Sequence, residues 1–177
     1  VRSEQDHMLV STDPVALARC YMENNADELI VFDCNEPDDQ LHDQALDQMK
    51  AICAIAEVDV IGAGNIKRME DVKKILYAGC KKAILNLNKD TSFEILEEVS
   101  KKFGKEKIGA SFMNADQVAK NPIALEEYVD ELFCLDIHEL KKAIPLTCIP
   151  VVATIAEVAL DKVLSLLETA KISGVSG

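Results

Sequence analysis

The sequence of 177 residues lacks any long hydrophobic run. A membrane span needs roughly 20 consecutive apolar residues, and no run approaches that length. The first ten residues, VRSEQDHMLV, also lack the basic and then apolar segments of a secretory signal peptide. These absences predict a cytoplasmic protein without a membrane partner.

Positive charge is also scarce. The chain carries 19 lysines and arginines against 31 aspartates and glutamates, which gives a net charge of −12. Such a surface repels the phosphate backbone of nucleic acids, and no basic patch in the sequence offsets it. We therefore expect no nucleic-acid partner.

The cysteines form no recognisable pair. None of the six belongs to a C-x-x-C motif, and no histidine cluster lies near them. This spacing argues against a zinc site and against a compact disulfide framework. We expect unpaired thiols that pack as small core residues, and we predict neither a metal nor a cofactor.

Short β-rich runs alternate with segments of helical period. The runs are apolar on both faces, as strands of a buried parallel sheet must be. Between them lie segments such as RMEDVKKILYAG, in which Met69, Val72 and Ile75 share one face. This alternation predicts an α/β fold, and no proline- or glycine-rich linker divides residues 1–177, which predicts one domain. The seven predicted strands are ELIVFD (28–33), VDVIGA (58–63), KAILNL (82–87), KIGASF (107–112), ELFCLD (131–136), IPVVAT (149–154) and KISGVS (171–176).

Two segments of the chain resemble each other. DPVALARCYMENNADELIVFD (13–33) and NPIALEEYVDELFCLD (121–136) share Pro-(Val/Ile)-Ala-Leu, a tyrosine and Asp-Glu-Leu-x-x-x-Asp, in that order. Two related halves built of βα units predict a TIM-type (β/α)8 barrel. Because seven strands are visible, we expect an incomplete barrel that lacks its first strand and last helix and belongs to a longer chain. Exposed edge strands would then favour self-association.

The pattern STDPVALARCYMENNADELIVFD, followed by VIGAGNIKRMEDVKKILYAGCKKAILN, resembles the histidine-biosynthesis barrels. These are the ProFAR isomerase and the cyclase subunit of imidazole glycerol phosphate synthase. The chain is also similar to the divergent barrels that precede phosphoribosyl-AMP cyclohydrolase and phosphoribosyl-ATP pyrophosphohydrolase domains. That resemblance implies a multifunctional enzyme of amino-acid biosynthesis, with a catalytic domain attached at the C-terminal end.

The resemblance also implies a binding site for a phosphorylated, ribose-type ligand at the carboxyl ends of the strands. It implies two aspartates on the first and fifth strands of the family as general acid and base. The fifth-strand aspartate falls at Phe112, and the first-strand aspartate lies outside this chain, so we expect a degenerate active site. The implied phosphate-binding residues are Gly62, Gly64, Asn65, Asn86, Ser176 and Gly177.

Asp33 and Asp136 are the remaining catalytic candidates. They end equivalent strands, where barrel enzymes place their chemistry, although capping of the next turn is the alternative role. His138 follows Asp136 but has no serine or cysteine nucleophile placed for it, which predicts a surface histidine at a helix start. His42 carries no motif. Gly62-Ala63-Gly64 lacks the third glycine of a dinucleotide fingerprint, so it is a bare turn or a remnant phosphate loop.

Three functions agree with these features. The first is a barrel with a degenerate active site that binds a phosphoribosyl ligand or supports the attached cyclohydrolase and pyrophosphohydrolase domains. The second is an active phosphoribosyl isomerase or cyclase of the histidine pathway. The third is a doubly wound α/β module that binds a small ligand.

Overall fold

The computed structural model describes residues 11–35, 39–155, 165–169 and 171–176. Its internal contacts divide the chain into two compact units. The first unit contains the chain up to Ile66 together with Glu70–Ala83, and the second contains Lys67–Met69 together with the chain from Ile84 onward. The prediction of one domain over residues 1–177 stays a prediction.

Each of the seven predicted β-rich runs contains one strand. The strands are β1 (Glu28–Phe32), β2 (Asp59–Ala63), β3 (Lys82–Asn86), β4 (Ile108–Phe112), β5 (Glu131–Cys134), β6 (Val151–Thr154) and β7 (Ile172–Ser176). The α-helices of the described residues are α1 (Pro14–Glu23), α2 (Asp39–Ile55), α3 (Met69–Tyr77), α4 (Asp90–Phe103), α5 (Ala115–Ala119), α6 (Pro122–Tyr128) and α7 (Ile137–Ala143). Short 3-10 helices cover Lys105–Lys107 and Ile144–Leu146.

The repeated Pro-x-Ala-Leu motif begins a helix in each unit. In the first unit Asp13 caps α1 by accepting the backbone N–H groups of Val15 and Ala16, and Pro14 takes the first helical position. In the second unit Asn121 caps α6 in the same way, followed by Pro122. A proline suits this position because its missing N–H would have no partner inside the helix. The similarity of the two segments therefore has a local structural cause.

Strand pairing in the first unit joins β1 to β2 in parallel, from Glu28 opposite Asp59 to Phe32 opposite Ala63. Every residue of β2 after Asp59 is buried. From α3, Val72 and Ile75 are completely buried, as the helical period predicts. The carboxyl ends of β1 and β2 thus lie side by side.

In the second unit β4 pairs with β5, β5 with β6 and β6 with β7, all in parallel. All five residues of β4 are buried, whereas β7 contains no buried residue. Burial on both faces explains why β4 shows no alternation of apolar and polar residues, with Ser111 its one polar side chain.

The strands follow one another in sequential order from β1 to β7. Together with the intervening helices, this order confirms the predicted fold class, an incomplete (β/α)8 barrel. The doubly wound alternative is wrong, because it requires a reversal of strand order. The expectation of a missing first strand concerns residues 1–10, which lie outside the described residues.

The prediction for the cysteines needs a correction. None of the six forms a disulfide, but only Cys80 and Cys134 are buried, and Cys53 is partly buried. Cys20, Cys34 and Cys148 are exposed, so they are not core residues. The apolar character of a free thiol does not by itself bring it into the core, because helix phase and loop position decide its exposure.

Candidate functional site

The carboxylate of Asp33, at the carboxyl end of β1, forms the centre of a buried polar cluster. Its side chain has an exposed fraction of 0%, and its backbone N–H donates to the carbonyl oxygen of Ala63 at 2.8 Å. One carboxylate oxygen accepts a hydrogen bond from His42 Nδ1 at 2.8 Å and another from Asn65 Nδ2 at 2.9 Å. The other accepts the backbone N–H of Asn35 at 3.1 Å and Asn35 Nδ2 at 2.8 Å. We call these four residues, Asp33, Asn35, His42 and Asn65, the Asp33 cluster.

The protonation states of the cluster follow from its contacts. Burial alone would raise the pKa of Asp33, but the hydrogen bonds from His42, Asn65 and Asn35 outweigh that effect and lower the pKa. Because an ionised carboxylate only accepts hydrogen bonds, His42 Nδ1 must carry a hydrogen. The opposite ring nitrogen, Nε2, is buried and has no hydrogen-bond partner among the described residues. Through the hydrogen bond from its Nδ1 to Asp33, His42 links α2 to the end of β1.

The turn after β2 closes over the backbone of Asp33. Gly64 has φ +92° and Asn65 has φ +50°, both in the left-handed region, which glycine and asparagine tolerate best. A Cβ atom on Gly64 would lie only 2.1 Å from the carbonyl oxygen of Asp33. Asn65 Nδ2 also donates to the carbonyl oxygen of Asn35 at 3.1 Å. Gly64 thus permits the close approach to the Asp33 backbone, and the hydrogen bonds of the Asn65 side chain stabilise it.

Gly62 makes room for packing on the other side of β2. A Cβ atom there would lie 2.4 Å from Ile75 Cγ2 and 3.0 Å from Cys80 Sγ. Glycine lets α3 and the segment after it approach the strand closely. This packing explains Gly62 without reference to a ligand. Gly62 and Ala63 belong to β2, so only Gly64 of the three residues lies in the turn.

In the second unit, the strand-end residues have separate local partners. Asn86, the last residue of β3, accepts the backbone N–H of Asn88 through its Oδ1 at 2.9 Å. Asp136 caps α7 by accepting the backbone N–H of His138 at 2.9 Å. Ser176 Oγ lies 3.0 Å from Thr154 Oγ1. The capping alternative therefore accounts for Asp136, and His138 is exposed as predicted.

Phe112, at the end of β4, is completely buried. It is among the largest side chains without exposed surface in the described part of the chain. An aromatic ring offers no proton to a substrate, and a buried one cannot contact it. The position at which the family resemblance implies an aspartate is therefore part of the core.

The first unit brings Asp33, Gly64 and Asn65 together. Gly177 lies outside the described residues. The sequence analysis missed Asn35 and His42 as members of the cluster. For Asn35 a signal existed, since asparagine two residues after an aspartate is typical of a turn in which the carboxylate accepts the later N–H. For His42 we find no such signal.

Among the described residues, no group of three or more histidine, cysteine, aspartate or glutamate side chains is placed to hold a metal ion. Within the same ranges, no helix has both the length and the apolar composition needed to cross a membrane.

The sequential parallel strands and the polar cluster at their carboxyl ends place the chain in the class of (β/α)8 barrels. A family model described as "Histidine biosynthesis protein" matches residues 2–121, and the chain belongs to this family. The chain is 32% identical over 92 residues to an imidazole glycerol phosphate synthase subunit HisF of Exiguobacterium sibiricum, which covers 52% of this chain and 36% of the relative. It is 30% identical over 94 residues to the HisF subunits of Wolinella succinogenes and Campylobacter concisus. Each of these matches covers 53% of this chain and 37% of the relative. The match thus spans little more than a third of the length of these relatives.

Proposed function

We propose that this chain is a histidine-biosynthesis barrel with a degenerate active site, which binds a phosphoribosyl ligand or supports attached catalytic domains. Phosphoribosyl-AMP cyclohydrolase and phosphoribosyl-ATP pyrophosphohydrolase domains are the attached domains that the sequence resemblance suggests. The observation that carries the proposal is the enclosure of Asp33, whose carboxylate accepts four hydrogen bonds from its own chain.

A general base must come within about 3 Å of the proton that it removes, and it works best with a pKa near the working pH. The Asp33 side chain has no exposed surface, and its carboxylate has roughly four acceptor positions, all of which are occupied. Its pKa is lowered, which moves it further from neutrality. These properties suit a structural carboxylate and oppose a role in proton transfer.

Neither of the other strand-end positions supplies a replacement. Asp136 uses one carboxylate oxygen to cap α7, and Phe112 presents only a buried ring. A single well-placed acid or base contributes roughly 10²–10⁴-fold to a rate. Loss of the pair therefore removes most of the catalysis expected from an active isomerase or cyclase.

We predict that the isolated chain neither isomerises ProFAR nor cyclises the precursor of imidazole glycerol phosphate in the presence of ammonia. Rates should equal those of buffer, because no acid–base pair reaches the substrate. The measurement is a spectrophotometric assay under saturating substrate, with the HisF subunit of Exiguobacterium sibiricum as positive control for the cyclase reaction. Turnover that disappears in Asp136→Asn, a variant that keeps the shape of the cap, would support the active enzyme instead.

We further predict weak binding of ribose 5-phosphate at the turn after β2. The Asn65 side chain is already held by Asp33, so backbone N–H groups of Gly64 and Asn65 would supply the contacts. The net charge of −12 opposes anion approach. Backbone amide NMR during titration should show shifts of the Gly64 and Asn65 amide resonances, with a dissociation constant in the millimolar range or above.

Sodium chloride at equal ionic strength provides the control for this titration, because salt alone screens surface charge. The amide of Ala153 in β6, where no glycine lets the backbone enclose an anion, serves as an internal reference. Identical shifts with chloride, or no shift at tens of millimolar sugar phosphate, would contradict ligand binding. The proposed support of attached catalytic domains would then remain.

A further inference from the structure

Two thiols of the first unit lie in contact although 27 residues separate them. Cys53 is in the last turn of α2, and Cys80 lies between α3 and β3. Their sulfur atoms are 3.9 Å apart. All six cysteines lie within the described residues.

The backbone before Cys80 causes this proximity. Gly79 ends the α3 segment with φ +108°, and a Cβ atom on it would lie 2.9 Å from Cys53 Cβ. Glycine therefore lets the chain press directly against α2. On the opposite side, the space left by Gly62 accommodates the Cys80 sulfur. The contact is fixed by packing on both sides.

The two thiols differ in access. Cys80 is 5% exposed, and burial raises its pKa to about 12. Cys53 is partly exposed, and burial raises its pKa as well. A thiol must ionise before it attacks a disulfide. Attack on a disulfide reagent is therefore slow for both thiols, and it begins at Cys53, which a reagent can reach from solvent.

We propose that Cys53 and Cys80 are a thiol–disulfide modification site, which a low-molecular-weight disulfide converts to an intramolecular disulfide. Cys53 attacks one sulfur of oxidised glutathione, forms a mixed disulfide and releases one reduced glutathione. Cys80 then attacks the Cys53 sulfur and releases the second. Two protein thiols are oxidised, one glutathione disulfide is reduced, and the two thiol protons end on the two released glutathiones.

The geometry requires little rearrangement. A disulfide needs sulfur atoms about 2.05 Å apart, so the two must approach by roughly 2 Å, within the reach of side-chain rotation. The bond would close a loop that contains β2, the turn at Gly64 and α3. Closing a loop of this length restricts the unfolded chain and should raise Tm by roughly 5–10 °C.

The test uses a chain in which the exposed Cys20, Cys34 and Cys148 are replaced by serine, which prevents links between molecules. It is incubated with oxidised glutathione at pH 8, alkylated with iodoacetamide and digested with trypsin. We expect a cross-link between peptides 51–67 and 75–81, loss of two hydrogen atoms per chain, and reversal by dithiothreitol. Cys134 is the internal control, since its buried thiol donates to the carbonyl oxygen of Asp136 at 3.1 Å and should be recovered unmodified.

Two variants separate the steps. Cys80→Ala should stop at a glutathione adduct on Cys53, and Cys53→Ala should give no product. Three results would overturn the proposal: a persistent glutathione adduct on Cys53 although Cys80 is present, equal participation of Cys134, or a cross-link that forms only in urea. The site is independent of the proposed function, because none of these outcomes depends on ligand binding or turnover.

Discussion

Replacement of Asp33 by alanine should lower the free energy of unfolding by about 3–5 kcal/mol, the usual cost of removing one partner of a buried ion pair or hydrogen-bonded charge. The variant would leave His42 Nδ1 and the side-chain amides of Asn35 and Asn65 without their acceptor. Each buried donor that loses its partner retains the penalty of its removal from water. The measurement is equilibrium urea unfolding, with comparison of midpoints and slopes.

Asp136 offers a matched control, because it also ends a strand and also accepts hydrogen bonds. Its role is that of a helix cap, so Asp136→Ala should cost only about 0.5–2 kcal/mol. Equal losses in the two variants would contradict the special position of Asp33. Should Asp33→Ala fail to fold, Asp33→Asn keeps the shape and still places an amide donor against the donors of the cluster.

The pH dependence provides a second measurement for the same residue. The pKa of Asp33 is lowered in the folded protein, because its hydrogen bonds outweigh the effect of burial. The contribution of Asp33 to the free energy of unfolding is therefore complete above the carboxyl pKa of the unfolded chain, about 4. It is lost as the pH falls through the lowered pKa that Asp33 has in the folded protein. The stability difference between the protein and Asp33→Asn should be constant near neutrality and decrease in that acidic range.

The strands could be predicted closely, as β1 and β4 illustrate. The run ELIVFD contains Glu28–Phe32, and KIGASF contains Ile108–Phe112. Strands covered on both faces are apolar at consecutive positions, and this pattern is visible without knowledge of the neighbours. Gly64 in the turn after β2 could also be predicted, because a sharp change of direction favours glycine, whereas Gly62 lies within β2 and is required by packing.

The hydrogen bonds of the site could not be predicted in the same way. His42 stands in a polar stretch of α2, and only the rotation of that helix against β1 directs Nδ1 toward Asp33. The family resemblance implies a phosphate-binding role for Asn65, yet its side chain donates to Asp33. A tertiary contact between elements leaves no periodic pattern in either sequence segment.

Replacement of Gly64 by alanine should be about as damaging as loss of Asp33, at roughly 3–5 kcal/mol. Two causes contribute. A side chain at φ +92° adopts a conformation that costs an L-residue roughly 1–3 kcal/mol, and the added Cβ would lie 2.1 Å from the carbonyl oxygen of Asp33. Because that neighbour is backbone, held by its own hydrogen bond to Ala63, it cannot rotate away, and the turn itself must move.

Gly174→Ala is the matched control for this variant. A Cβ on Gly174 would meet Val152 Cγ2 at 3.7 Å, an ordinary contact, so the stability should stay within about 1 kcal/mol of the original protein. Gly64→Asn separates the two causes, since asparagine tolerates a positive φ better than alanine but carries the same Cβ. If the close approach to Asp33 dominates, Gly64→Asn should lose nearly as much stability as Gly64→Ala in urea unfolding. Recovery of most of the stability by asparagine would mean that backbone conformation alone requires the glycine.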